Sequence, residues 1–309
     1  MTNPRDAGRG MEPRATTEPS RVELPQRAHR EAVVNGVRLH YVVAGAGPLV
    51  LLLHGFPDFH GGWRHQIPAL AAAGFRVIAP DLRGYNWSGK PSGVAAYRVE
   101  CLVDDVVGLI RHAGEESAAL VGHDWGGAIA FEAAMSYPGT IQRIAVLNAP
   151  HPGRFARELR SLDQLWRSSY VLAFQAPRLP EAILRARNFA LLRRVFRRDP
   201  CRPGAFTEDD IEAHIAALSQ PGTLTAAINY YRASFRSRLR TLRRSHPINQ
   251  PVLLIWGAQD RYLRRSLTEG LEKWIPGIQV EHLPHASHWV QHDDPERVNT
   301  LLIDFLRRP

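Results

Sequence analysis

Asp124 lies in the run Val121-Gly122-His123-Asp124-Trp125-Gly126-Gly127. Small residues two before and two after a central side chain permit the sharp strand-to-helix turn called a nucleophile elbow, which thrusts that side chain out at the top of a sheet. Ser is the usual occupant. A carboxylate does not suit routine ester or amide hydrolysis, but it attacks an electrophilic sp3 carbon and leaves a covalent ester. That chemistry opens an epoxide or displaces a halide.

Such a nucleophile needs an acid, a base and an oxyanion hole, and in this architecture they follow in the order nucleophile, acid, base. Asp260, in Trp256-Gly257-Ala258-Gln259-Asp260, falls just past an apolar strand-like run and is the favoured acid. Asp293 and Asp294 are rivals, although they precede Pro295, where a helix N-cap is the ordinary role. The base is sought among His282, His285, His288 and His292. His282 falls inside a strand-like run, and loop geometry alone leaves His285 open. Order and location favour His288, in Pro284-His285-Ala286-Ser287-His288-Trp289. The oxyanion hole is read from His54-Gly55-Phe56-Pro57, directly after a strand, with the N–H of Phe56 as one donor and that of Trp125 as the other.

The elements that must hold these residues alternate. Strands are expected over 40–44, 49–53, 75–79, 118–121, 143–147, 251–256 and 279–283. Helices are expected over 63–73, 101–112, 128–134, 267–274 and 296–306. Runs such as Leu51-Leu52-Leu53 and Val252-Leu253-Leu254-Ile255 suit strands buried on both faces. The alternation predicts an α/β fold, a mostly parallel sheet with helices on both sides. It is interrupted between His151 and His246 by a helical, Arg-rich stretch without strand character. The expected organisation is a tail over 1–30, a core over 31–150, a helical cap over 151–246 and a second core segment over 247–309. A cap of this kind lies over the carboxyl ends of the strands, the edge where such sheets place their sites.

The chain has 309 residues and a formal charge of +9. Residues 151–246 hold 18 Arg against 8 Asp plus Glu, hence +10, which leaves about −1 elsewhere. The excess is interleaved with apolar residues at helical spacing, as on a solvated helical face, and no nucleic-acid motif accompanies it. No apolar run approaches the roughly 18–20 residues that span a bilayer. The first thirty residues lack an apolar h-region, and two cysteines suit a reducing cytosol. A cytoplasmic protein is therefore expected. Oligomeric state is unreadable, and a homodimer stays open. No Cys/His spacing typical of a metal site is present.

Taken together, the segments from roughly Arg30 onward resemble the soluble epoxide hydrolase family of the α/β-hydrolase superfamily. The resemblance rests on His54-Gly55-Phe56-Pro57, Asp81-Leu82-Arg83-Gly84-Tyr85, the elbow, Trp256-Gly257-Ala258-Gln259-Asp260 and Ser287-His288-Trp289. Two further segments resemble those that carry the family's epoxide-binding tyrosines. These are Ser168-Ser169-Tyr170-Val171-Leu172-Ala173-Phe174-Gln175 and Asn229-Tyr230-Tyr231-Arg232. The resemblance implies that Tyr170 and Tyr231 donate to the epoxide oxygen, and that Tyr230 is a packing neighbour. It implies a small-molecule epoxide as substrate, a 1,2-diol as product, a detoxifying role and no cofactor. Phe56 and Trp125 would also line the substrate site.

Most of these motifs are shared with haloalkane and fluoroacetate dehalogenases, which need no paired cap tyrosines. That activity is the alternative. A non-catalytic binding protein on the same fold is a third reading, against which stand the intact Asp124, Asp260 and His288.

Overall fold

The computed structural model describes residues 27–158, 161–241 and 246–308. Eight strands make one sheet: β1 (Ala28–Val34), β2 (Val37–Ala44), β3 (Leu49–Leu53), β4 (Arg76–Pro80), β5 (Ala118–His123), β6 (Ile141–Leu147), β7 (Val252–Gly257) and β8 (Gln279–Leu283). Their order is β1-β2-β4-β3-β5-β6-β7-β8. The first two pairings are antiparallel and all the others parallel.

Helices α1 (Gln66–Ala72), α2 (Val99–His112) and α3 (Trp125–Ser136) alternate with the strands, and α10 (Val290–Asp293) and α11 (Pro295–Leu306) close the chain. Every residue of β3, β5 and β7 is buried. Successive side chains of a strand point to opposite faces, so Leu49, Leu51 and Leu53 enter one hydrophobic cluster and Val50 and Leu52 the other. Leu102, Val106 and Leu109 of α2 cover the first face, and Leu70 of α1 with Leu302 of α11 covers the second. Two covered faces explain why these strands read as unbroken apolar runs.

Between β6 and β7 the described residues form six helices and no strand: α4 (Pro152–Glu158), α5 (Leu162–Arg167), α6 (Ser169–Ala173), α7 (Leu179–Arg198, kinked at Ala186–Phe189), α8 (Glu208–Ser219) and α9 (Thr223–Thr241). Helix α9 lies over the carboxyl ends of β3 and β5. There Tyr231 packs edge-on against Phe56 and Trp125, at 5.7 and 5.1 Å between ring centroids. The Tyr230 hydroxyl donates to the Arg83 carbonyl at 2.7 Å.

Three expectations are corrected. Residues 28–30 belong to β1 rather than to a tail, and residues 1–26 lie outside the described residues. An edge strand with one covered face exposes most of its side chains, Val33 among them, and so gives little apolar signal. The helix expected over 267–274 shrinks to a single 3₁₀ turn, Arg265–Thr268, because Gly270 takes a positive φ of 64°. The helix expected to start at Trp63 starts at Gln66, after a 3₁₀ turn over His60–Trp63.

Candidate active site

Asp124 stands between β5 and α3 with φ 52° and ψ −118°, a strained conformation tolerated where the surroundings over-determine it. The glycines make the turn possible. A Cβ on Gly126 would lie 1.9 Å from the Leu53 carbonyl oxygen, and one on Gly122 would lie 2.3 Å from that of Gly126. The Asp124 side chain is 18% exposed, so it is open on one side.

The Phe56 N–H donates to Asp124 Oδ1 at 2.8 Å. Trp125 is the first residue of α3, so its N–H has no helical acceptor one turn back. Of the two expected oxyanion donors, the Phe56 N–H contacts the carboxylate and the Trp125 N–H opens the helix that follows it. Oδ2 faces the other way, 3.6 Å from His288 Nε2. His288 Nδ1 in turn lies 2.8 Å from Asp260 Oδ2.

Asp260 is held on every side. Its Oδ1 accepts from the N–H groups of Tyr262 and Leu263, at 2.7 and 2.9 Å. Its Oδ2 also accepts from Asn148 Nδ2 at 2.7 Å, while Asn148 Oδ1 accepts from the Gly257 N–H at 2.8 Å. Asn148 thus ties the end of β6 to the end of β7. Its φ of 42° is positive, a conformation that Asn adopts more readily than most residues.

These contacts set the charges. Burial alone would lower the His288 imidazole, but the charge of Asp260 and the contacts with Asp124 push it up to about 10. Burial would raise Asp124, yet His288, His123 and the Phe56 N–H hold it below the ordinary range. His288 stands between the two side chains, with Nδ1 toward Asp260 and Nε2 toward Asp124. His123, whose ring lies 4.8 Å from that of His288, is driven down to about 4, chiefly by burial and then by the neighbouring charge.

Tyr231 is buried and Tyr170 half-buried, with ring centroids 5.7 Å apart. Burial, reinforced by Asp124 and by other neighbours, raises both phenols above their usual value, so each keeps its proton at neutral pH. Phe174 packs against both rings. Tyr262, which sequence reasoning passed over, stands between Tyr170 and His288, at 6.3 and 5.3 Å.

The rival residues lie apart from this group. Asp294 caps α11 through the Arg297 N–H, and Asp293 accepts from Ser287 and from the Arg202 N–H. His282 pairs with Thr268, His292 with Arg64, and His285 is exposed.

Residues 48–295 match the family model of the α/β hydrolase fold. The chain is 41% identical over 276 residues to the AB hydrolase superfamily protein YfhM of Bacillus subtilis, covering 88% of this chain and 96% of that one. It is 37% identical over 311 residues to Epoxide hydrolase 4 of Mus musculus, covering 98% and 85%. It superposes with a TM-score of 0.82 on the crystal structure of Bacillus megaterium epoxide hydrolase in complex with an inhibitor, at 37% identity over 90% of this chain and 100% of that one. The chain belongs to the epoxide hydrolase family of the α/β-hydrolase superfamily.

Two features of this family member bear on access. A depression of about 440 Å³ is lined by Asp163, Trp166, Arg167, Tyr170, Arg261 and Tyr262. It reaches the two tyrosines nearest His288 and Tyr231. Among the described residues no helix is long and apolar enough to cross a membrane.

Proposed function

We propose that this hydrolase converts an epoxide to a 1,2-diol through a covalent ester on Asp124. The reading is supported by one juxtaposition: two protonated phenols packed beside a carboxylate of which one oxygen accepts from the Phe56 N–H and the other faces His288 at 3.6 Å. Tyr170 and Tyr231 donate to the epoxide oxygen and supply the proton its alkoxide takes as the C–O bond breaks. Asp124 Oδ2 attacks a ring carbon from the opposite side, and Oδ1 remains the carbonyl oxygen of the ester. The helical block over 151–246 acts as a cap that brings the tyrosines to the elbow. The depression beside Tyr170 and Tyr262 is the route by which substrate reaches them.

Alkylation of Asp124 removes one of the two negative charges that keep His288 protonated. Its pKa then falls, and the imidazole becomes able to take a proton from water. The activated water attacks Cγ of the ester, and negative charge develops on Oδ1. That oxygen already accepts from Phe56 and lies at the start of α3, where each backbone donor is worth about 3–4 kcal/mol in the transition state. Collapse of this intermediate breaks the Cγ–Oδ2 bond. The departing diol oxygen takes a proton from the added hydroxyl by way of His288, and Asp124 returns as a carboxylate carrying the water oxygen. Asp260, fixed by Asn148 and two N–H groups, holds the imidazole in register.

The dehalogenase alternative shares the carboxylate but has no use for two phenols. Styrene oxide should give diol, and simple alkyl halides should release no halide. In a single turnover in ¹⁸O-water the heavy oxygen should enter Asp124, not the first-formed diol. A His288→Ala variant should accumulate the ester, visible as an adduct by intact mass. An unmodified chain after exposure to substrate would sink the covalent scheme.

A further inference from the structure

On the far side of the Phe56 turn three imidazoles gather around one buried carboxylate. Asp81, at the end of β4, has no exposed side-chain surface. His40 Nδ1 lies 2.7 Å from its Oδ2, and His60 Nδ1 lies 2.8 Å from its Oδ1. Asn86 Nδ2 donates to Oδ2 at 2.8 Å. His29, on β1, brings its Nδ1 within 2.9 Å of His40 Nε2. One nitrogen from each of His40 and His60 and one Asp81 oxygen all lie within 4.8 Å of one another.

We propose that His40, His60 and Asp81 form a binding site for a divalent transition cation such as zinc, separate from the hydrolytic centre. The ligand types suit that ion: zinc binds imidazole nitrogen and carboxylate oxygen at about 2.0–2.2 Å, most often tetrahedrally. Ligand atoms around such an ion stand about 3.3 Å apart, so the two N···O separations must open by about 0.5 Å and the widest pair, now within 4.8 Å, must draw in toward the same spacing. Nothing covalent has to break. In a neutral imidazole the proton moves from Nδ1 to Nε2, which frees Nδ1 for the metal and leaves the net proton count unchanged.

The surroundings supply what a metal site needs beyond its ligands. Metal-bound histidines usually donate their other N–H to a fixed acceptor. His29 Nδ1 is placed to receive the proton of His40 Nε2, and Asn86 holds the carboxylate. Trp87 packs edge-on against His40 at 4.7 Å and forms an apolar wall.

The ion would also stiffen the catalytic turn. His60 lies on the same loop as Phe56, and the Leu82 N–H next to Asp81 donates to His54 Nε2 at 3.0 Å. A metal there joins β2, the loop after β3 and the loop after β4. The inference is independent of which bond the enzyme hydrolyses.

The test uses the untagged full chain, stripped with a chelator and then titrated with Zn²⁺ by calorimetry and with Co²⁺ by visible absorption. About one equivalent should bind, with the intense bands of tetrahedral cobalt, and Zn²⁺ should raise the melting temperature. His60→Phe should abolish saturable binding. His60→Gln, which keeps a donor to Asp81 without an imidazole, should do the same and serves if the first variant does not fold. His29→Ala should weaken affinity about 10–100-fold, the usual effect of removing such a supporting group. Circular dichroism of each variant should match that of the parent chain. No saturable uptake by the parent chain, or equal affinity in His60→Gln, overturns the site.

Discussion

Asp124 and His288 are best understood as one titrating unit. His288 is raised above the ordinary imidazole value, so its favourable charge is fully present below about pH 6.5 and is lost as pH rises through about 10. Asp124→Asn removes one of the two carboxylates responsible. The His288 pKa in that variant should therefore fall below that of the parent, as followed by NMR of the imidazole C–H signals; an unchanged value would mean that Asp260 alone sets it. At the tyrosines, Tyr231→Phe keeps the ring that packs on Trp125 and Phe56 but removes the donor. The rate of ester formation should drop about 10²–10⁴-fold, the typical contribution of a positioned acid. Tyr170→Phe should behave likewise, and an undiminished rate in both variants would rule out phenol catalysis.

The elbow is where local structure and chemistry cannot be separated. It holds a non-glycine residue at positive φ, a cost of order 1–3 kcal/mol, and it does so because β5, α3 and the Leu53 carbonyl approach too closely for any other path. Gly126→Ala would drive a methyl group into backbone, at 1.9 Å from an oxygen that cannot rotate away. The expected outcome is a loss of several kcal/mol, beyond the usual range for a point substitution, measured by denaturant unfolding. Asn148 acts similarly between β6 and β7. Asn148→Ala should lower kcat with little change in KM, because Asp260 loses a donor and His288 loses its register. Sequence reasoning anticipated the elbow from its small residues. It passed over Asn148, because an Asn after a strand looks like any turn.

Across the whole molecule, the helical block shares one hydrophobic cluster with the core, Phe174 and Tyr231 among its members, and buried polar contacts add to it. Asp58, beside the Phe56 turn, lies 3.0 Å from His214 of α8, and both side chains are about 2% exposed. Burial would raise the Asp58 carboxyl, but contact with His214 holds it well below the ordinary range. A depressed carboxylate contributes stability above its unfolded value near 3.8 and loses it as pH falls further. Asp58→Asn should accordingly be less stable than the parent near neutrality, and the gap should narrow below about pH 4. Parallel stability curves would assign no role to this bridge. The Arg excess of residues 151–246 is partly answered within the same helices: Arg193 pairs with Glu212, Arg197 with Glu208 and Arg232 with Glu181.

The fold class was legible because both of its signals are local: apolar runs that match fully buried strands, and glycine spacing that only a tight turn explains. The order of Asp124, Asp260 and His288 was legible for the same reason, since each follows a strand that a short window can recognise. What no window contained was distance. Order and location favoured His288, but only the fold set its Nδ1 2.8 Å from Asp260 and left His285 exposed, and only the fold packed Tyr170 against Tyr231 from separate helices. The gathering of His29, His40, His60 and Asp81, scattered along β1, β2 and two loops, likewise has no sequence signature. The physical reason is that the sheet brings residues together by strand order, not chain order: β3 sits between β4 and β5, and only that crossing sets which side chains meet.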